Sequence, residues 1–226
     1  PEEVERSIAN YFLTAWLGMA LRLSGRLVLH GNVVAVNGRA LAWLGEKGVG
    51  KSTLTAAFVA AGYPLLSDDQ IVPWFEANGV SVAHGIMRLH LWPESLVVMA
   101  SVYDAWEFDQ PFAVFPKGYM PMVPPTSAPV VDARTPLHAL YVLQLRRADM
   151  TVPIIETPSP GDCFQLLYTH CLARRTMPLN PDQRRAEFNA VAELHRRVPV
   201  RLLTLPNDLA RLPEVVQMLA EEHAHG

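Results

Sequence analysis

Lysine is almost missing from this chain of 226 residues: only Lys47, Lys51 and Lys117 stand against sixteen arginines. Charge as a whole is scarce, at 18% of residues against roughly 25% in an average soluble domain. With half the residues hydrophobic, that scarcity excludes disordered and low-complexity classes and implies a large core. A net charge of −3 and a pI near 6.3 exclude a generally basic surface, so no nucleic-acid partner is expected. Two cysteines, Cys163 and Cys171, are too few for a disulfide framework, and no secretory signal is visible, so a cytoplasmic location is expected. Long apolar runs are lacking too. The best, Ile8 to Leu21, is interrupted by Asn10 and Thr14 and falls short of the about 20 residues a bilayer span needs, so no membrane partner is expected.

Strand-like and helix-like segments alternate along the chain. Expected elements are a helix from Glu2 to Leu23, short strands at 27–29, 33–36 and 40–44, and a helix from Thr53 to Ala61 closed by Gly62. Asn37-Gly38 and Asn78-Gly79 mark two hairpins. A short strand at Leu65-Leu66 leads into Ser67-Asp68-Asp69, and Pro93 opens a helix to about Trp106. Seven prolines between Pro111 and Pro136 imply an irregular crossing or an edge ribbon. A strand from His138 to Leu145, helices at 160–174 and 181–197, a strand at 200–203 and a helix from Pro213 complete the pattern. The expectation is one α/β domain over residues 1–226 with a mixed sheet and flanking helices; the chain begins at Pro1, which leaves a preceding portion open.

Gly45-Glu46-Lys47-Gly48-Val49-Gly50-Lys51-Ser52 fits the phosphate-loop pattern G-x-x-x-x-G-K-[ST] without a gap, and Thr53 follows it. Glycines let backbone N–H groups converge on phosphate oxygens, and the next helix turns its positive end to the same anion. Lys51 would reach the β- and γ-phosphates and Ser52 would ligate Mg²⁺, which implies ATP or another nucleoside triphosphate as cofactor. The loop alone names no reaction. Further absences narrow the choice: no Leu-Ser-Gly-Gly-Gln signature and no apolar run ending in Asp-Glu, against a transporter ATPase, and no Asn-Lys-x-Asp motif, against a GTPase.

Asp68 and Asp69 follow Lys51 by seventeen and eighteen residues. Adjacent carboxylates at a strand end could divide two roles in phosphoryl transfer, one near Mg²⁺ and one as base for the attacking hydroxyl. An ordinary solvent-facing turn is the competing reading.

The run from His30-Gly31 through the loop to Leu-Leu-Ser-Asp-Asp resembles HPr kinase/phosphorylase, a phosphate-loop serine kinase family that shares its fold with phosphoenolpyruvate carboxykinase. The resemblance puts His30 on the family's active-site histidine, Lys51 and Ser52 on the loop lysine and Mg²⁺ ligand, Asp69 on the proton acceptor and Asp68 on the metal-side acid. The Glu-Ile-Arg-Gly-Leu-Gly signature of that family has no counterpart. In its place, Arg88-Leu-His-Leu-Trp-Pro-Glu-Ser-Leu, with Leu27-Val-Leu-His and the tail Pro206 to Val216, is similar to HPr-kinase-like proteins of lasso-peptide systems. In those members the implied reaction phosphorylates a precursor peptide on its C-terminal serine.

Other candidates carry two readings each. Glu94 fits a second metal ligand or an ordinary first-turn acid. Arg88 and Lys117 suit phosphate contacts, and Arg134 a substrate carboxylate, or each is a solvated surface charge. Eight arginines against four acids over residues 174–211 fit a site for an acidic peptide or plain solvated helix faces. The expected function is an Mg²⁺/ATP-dependent serine kinase acting on a small protein or precursor peptide. A nucleotide-gated peptide-binding adaptor and an ATPase without acceptor are the alternatives. The subunit count stays open, a homo-oligomer included.

Overall fold

The computed structural model describes residues 16–85, 88–92, 95, 118–121, 134–173 and 177–224. The expected helix before residue 16, most of the one from Pro93, and the candidates Glu94 and Lys117 lie outside them. The elements are helix α1 (16–23), β1 (Gly31–Val36), β2 (Arg39–Leu44), α2 (Lys51–Ala60), β3 (Leu65–Ser67), β4 (Pro73–Glu76), β5 (Gly79–Ala83), β6 (Arg88–Leu91) and β7 (Gly118–Pro121). Then follow β8 (Arg134–Leu143), β9 (Ile154–Glu156), α3 (Pro160–Thr169), α4 (Pro181–Arg197), β10 (Val200–Thr204), a short 3₁₀ turn and α5 (Leu212–Glu222).

The main sheet runs β3-β1-β2-β8-β10-β9, with the β4–β5 hairpin joined to the start of β8. It is mixed: β2, β8 and β10 are parallel neighbours, while β1, β3, β5 and β9 pair antiparallel. Strict alternation along the central strands fills both faces. Leu41, Trp43, Ala139, Tyr141 and Leu143 point to the side of α2 and α5, where Leu54, Phe58, Val215 and Leu219 meet them. Ala40, Ala42, Leu44, Leu140 and Val142 point to the side of α3 and α4, against Leu167, Val191 and Leu194. Strands buried on both faces read as continuous apolar runs, which is why so few charges suffice for this chain.

Local signals explain several boundaries. Asn37 and Gly38 both take positive φ (51° and 76°), the geometry a two-residue β-turn with right-handed strands requires. Gly62, at φ 91°, ends α2: its N–H bonds the Val59 carbonyl and the Tyr63 N–H bonds that of Phe58, the paired bonds of a Schellman stop.

Four expectations need correction. Residues 27–29 form no strand; Leu29 makes only isolated bridges, to Ile71 and Cys171, so this apolar run is a buried connecting segment. The second hairpin turns at Ala77-Asn78, since Glu76 pairs with Gly79, and neither loop residue has positive φ. β8 begins at Arg134 and includes Pro136, which pairs with Ser81 of β5 beyond the last β2 pair, Ala40 with Leu137; there the missing N–H costs no ladder bond to β2. Finally, α3 stops at Thr169 because the next residues are recruited elsewhere: the His170 carbonyl accepts from the His30 N–H, and the Leu172 N–H donates to Val28. β9 was not anticipated; it is a three-residue edge strand, too short for alternation to register. Among the described residues no helix is long and apolar enough to cross a membrane.

Candidate active site

Strand direction gathers the site at one edge of the sheet. β2 runs into the glycine-rich loop, and antiparallel β1 pairs Gly31 with Leu44, so His30 lies beside Gly45. β3 pairs Ser67 with Val33, so Asp68 and Asp69 leave the sheet at that same edge. Parallel β8 pairs Val142 with Leu44, which brings Leu143 and the residues after it there too.

The loop from Gly45 to Gly50 has the backbone its glycines allow. Gly45, Gly48 and Gly50 have φ of 149°, 90° and 103°. A Cβ on Gly45 would lie 2.8 Å from Val49 Cγ2 and 3.1 Å from the Leu143 carbonyl oxygen, so no other residue fits there. Val49 is buried in the α2-side core and pins the loop from within, while Glu46, Lys47 and Gly48 are exposed. α2 starts with no side-chain cap and no acid in its first turn, which leaves its positive end to other partners. The Lys51 side chain, only 7% exposed, donates to the carbonyls of Gly45 (2.7 Å) and Glu46 (3.2 Å). Ser52 is half-buried, and the Thr53 hydroxyl is 2.9 Å from that of Ser95.

Across from the loop, Asp68 is 3% exposed and accepts a 2.7 Å bond from Asn32 Nδ2. Asp69 is half-buried at φ 63°, in the left-handed region where Asp and Asn are found more often than other residues with a Cβ. Its main-chain carbonyl accepts from the Gly31 N–H (3.3 Å) and from His30 Nδ1 (3.1 Å). His30 therefore holds the backbone that carries the acid.

The charge balance at this edge is visible in His170. Burial pushes its pKa down to about 4; the Glu46 carboxylate opposes the fall, while Lys51 and His30 add to it. The imidazole is thus neutral at neutral pH. Nothing in its spacing marked it as a site residue, since it joins the site only through the early end of α3. Arg146 was also missed. Its guanidinium packs on the loop, Nη2 lying 2.8 Å from where a Gly50 Cβ would be, and Nη1 donates to the Pro206 carbonyl at 3.2 Å. Nη2 is buried without a hydrogen-bond partner, and burial lowers the pKa of the group. A buried cationic donor of this kind is satisfied by an anion. The signal available in the sequence was an arginine pair directly after an apolar strand.

Other candidates are not brought together with these. Arg134 stands at the far end of β8, nine residues and about 30 Å from Leu143. There it stacks 3.8 Å over the Trp74 ring and faces Glu76 at 3.8 Å. Of the two readings the sequence left for it, substrate clamp or solvated charge, this position suits the second. The backbone of Arg88 opens β6, which pairs with β7.

Among the described residues no group of three or more His, Cys, Asp or Glu side chains could hold a metal. Mg²⁺ asks for less: one or two carboxylates, with nucleotide phosphates and waters for the rest. Asp68 and Ser52 are donors of that kind, and Asn32 Oδ1 beside Asp68 is a buried acceptor without a partner, as a hydrated cation would suit.

No protein-family model matches the chain, and no curated protein does. Among solved structures, it is similar to the Hpr(Ser) kinase/phosphatase from Coxiella burnetii, with 13% sequence identity over 87% of this chain and 95% of that one, at a TM-score of 0.40.

Proposed function

We propose that this chain is an Mg²⁺/ATP-dependent serine kinase, built as a single phosphate-loop domain and acting in the cytoplasm on a small protein or peptide. The C-terminal serine of a lasso-peptide precursor belongs to that class of acceptor. The observation that carries the reading is the meeting of the Gly45–Ser52 loop, Lys51, His30, Asp68 and Asp69 at one sheet edge.

In this mechanism, loop N–H groups bind the phosphates, and Lys51 exchanges the carbonyls of Gly45 and Glu46 for β- and γ-phosphate oxygens. Arg146 Nη2 adds a cationic donor beside Gly50. Ser52 and Asp68 would hold Mg²⁺, which when bound neutralises charge on the phosphates. Asp69 accepts the proton of the acceptor hydroxyl, a role worth about 10²–10⁴ in rate. His30 keeps Asp69 in its left-handed backbone conformation and so aims the carboxylate.

The test is mass spectrometry of candidate serine peptides after incubation with the protein, ATP and Mg²⁺. A gain of one phosphate is expected with the wild type, and none with Asp69→Asn, which should still bind ATP. Full transfer by Asp69→Asn would refute the base assignment. ATP binding with no phosphate on any peptide would favour a nucleotide-gated adaptor.

A further inference from the structure

A cavity of about 720 Å³ opens directly beside the glycine-rich loop, on the α3 side of the sheet. Its near wall is Gly45, Glu46 and His170. Its floor is apolar, from Val142 on β8, Leu202 on β10 and Leu166 on α3. Glu156 of β9 and Asp162 of α3 stand on the far rim, both exposed.

Three observations say what such a space receives. The first is position, and it rests on the kinase reading above. A loop lysine of this motif takes the β- and γ-phosphates. The Lys51 ammonium sits at the Gly45 and Glu46 carbonyls, so the terminal phosphoryl group is delivered at the mouth of the cavity. The second is proximity to the acid. The His170 carbonyl accepts from the His30 N–H at 2.8 Å, and the His30 ring holds Asp69, so the cavity wall is one hydrogen bond removed from the group that supports the base.

The third is charge. Among the described residues the lining contains three carboxylates, Glu46, Glu156 and Asp162, and no lysine or arginine. His170 adds no positive charge at neutral pH. Of the cations outside the lining, Arg147 makes a two-pronged pair with Asp149, Arg201 bonds the Thr157 hydroxyl at the rim, and Arg146 packs on Gly50. An apolar floor beneath an acidic rim matches a side chain with an alkyl stem and a cationic head.

We propose that this cavity is the acceptor site, and that it selects a peptide carrying lysine or arginine next to the serine that is phosphorylated. The apolar stem lies over Val142, Leu166 and Leu202, and the cationic head meets Glu156 and Asp162. The serine hydroxyl is thereby held at the loop, beside Asp69.

The test compares two fluorescein-labelled pentapeptides, one with serine between lysines and one with serine between glutamates. Binding is measured by anisotropy with a non-hydrolysable ATP analogue and Mg²⁺ present, and phosphate transfer is followed in parallel with ATP. The lysine peptide is expected to bind about tenfold more tightly. Glu156→Gln with Asp162→Asn should shrink that ratio to about threefold or less, and Glu156→Lys should reverse it, with nucleotide affinity unchanged. Equal binding of the two peptides, or a preference that survives the double variant, overturns the acceptor-site proposal. Selective binding of the lysine peptide without transfer leaves the cationic site standing and overturns the kinase reading instead.

Discussion

Alanine placed at two glycines of the same loop separates the geometry of that loop from its composition. Gly45 and Gly48 both take positive φ, at 149° and 90°. A methyl at Gly48 meets nothing within 4 Å. Gly48→Ala therefore pays only the backbone term, about 1–2 kcal/mol for an L-residue in the left-handed region. At Gly45 the same methyl meets Val49 Cγ2 at 2.8 Å and the Leu143 carbonyl at 3.1 Å. Val49 is packed in the core and Leu143 is held in β8, so neither can yield cheaply. To a strain of about 1–3 kcal/mol is added a crowding cost of about 1–3 kcal/mol, for a total of roughly 2–6. At about 2–4 °C per kcal/mol for a domain of this size, Gly45→Ala should melt roughly 5–20 °C below the wild type, and Gly48→Ala only a few degrees below it. Thermal unfolding by circular dichroism, with and without MgATP, measures both. Ligand should raise the melting temperature of Gly48→Ala, because its loop stays in place, and leave that of Gly45→Ala nearly unmoved. Equal losses in the two variants would refute the account of the loop as pinned between Val49 and Leu143.

Two further outcomes follow from buried charge. Arg22 and Glu187, 3% and 5% exposed, join α1 to α4 through two bonds of 2.6 and 3.0 Å, so Arg22→Ala should cost about 3–5 kcal/mol in urea unfolding. A pairing with apolar residues at both positions should recover most of that loss; a cost below about 1 kcal/mol for the single variant would mean the pair is solvated. His170 binds its proton less readily folded, at a pKa of about 4, than unfolded, near 6.5, so unfolding takes up a proton between those values. Its contribution is present above pH 6.5 and lost as pH falls towards 4. At about 1.36 kcal/mol per pH unit, reduced for its partial exposure, that is about 1–3 kcal/mol. The stability difference between wild type and His170→Gln should change by that amount over this window, and a constant difference would show the imidazole to be freely titrating.

What could be read from the sequence, and what could not, divides along the range of the interactions involved. The loop, the Asn37-Gly38 turn and the Gly62 stop are local: each is dictated by which residues tolerate positive φ, and each stands where the residues put it. The central strands were legible as well, because burial on both faces leaves apolar runs that nothing else explains. The failures at α3 and at the site are decided by distant partners. α3 stops at Thr169 because residues 28 and 30 claim the backbone groups of Leu172 and His170, and that claim crosses some 140 positions of chain. The same crossing brings His170 to the loop, so its low pKa and its place in the cavity wall had no local trace. Arg134 carried two readings, ligand contact or solvated charge, and only the parallel pairing of β8 with β2 shows that its end of the strand lies away from the loop. Arg146 comes three residues after the other end of that same strand, so the register that places one arginine away from the loop brings another to it. Strand direction was therefore the missing information. Once β8 is known to run parallel to the strand that enters the loop, the residues following its last apolar position are known to lie beside that loop.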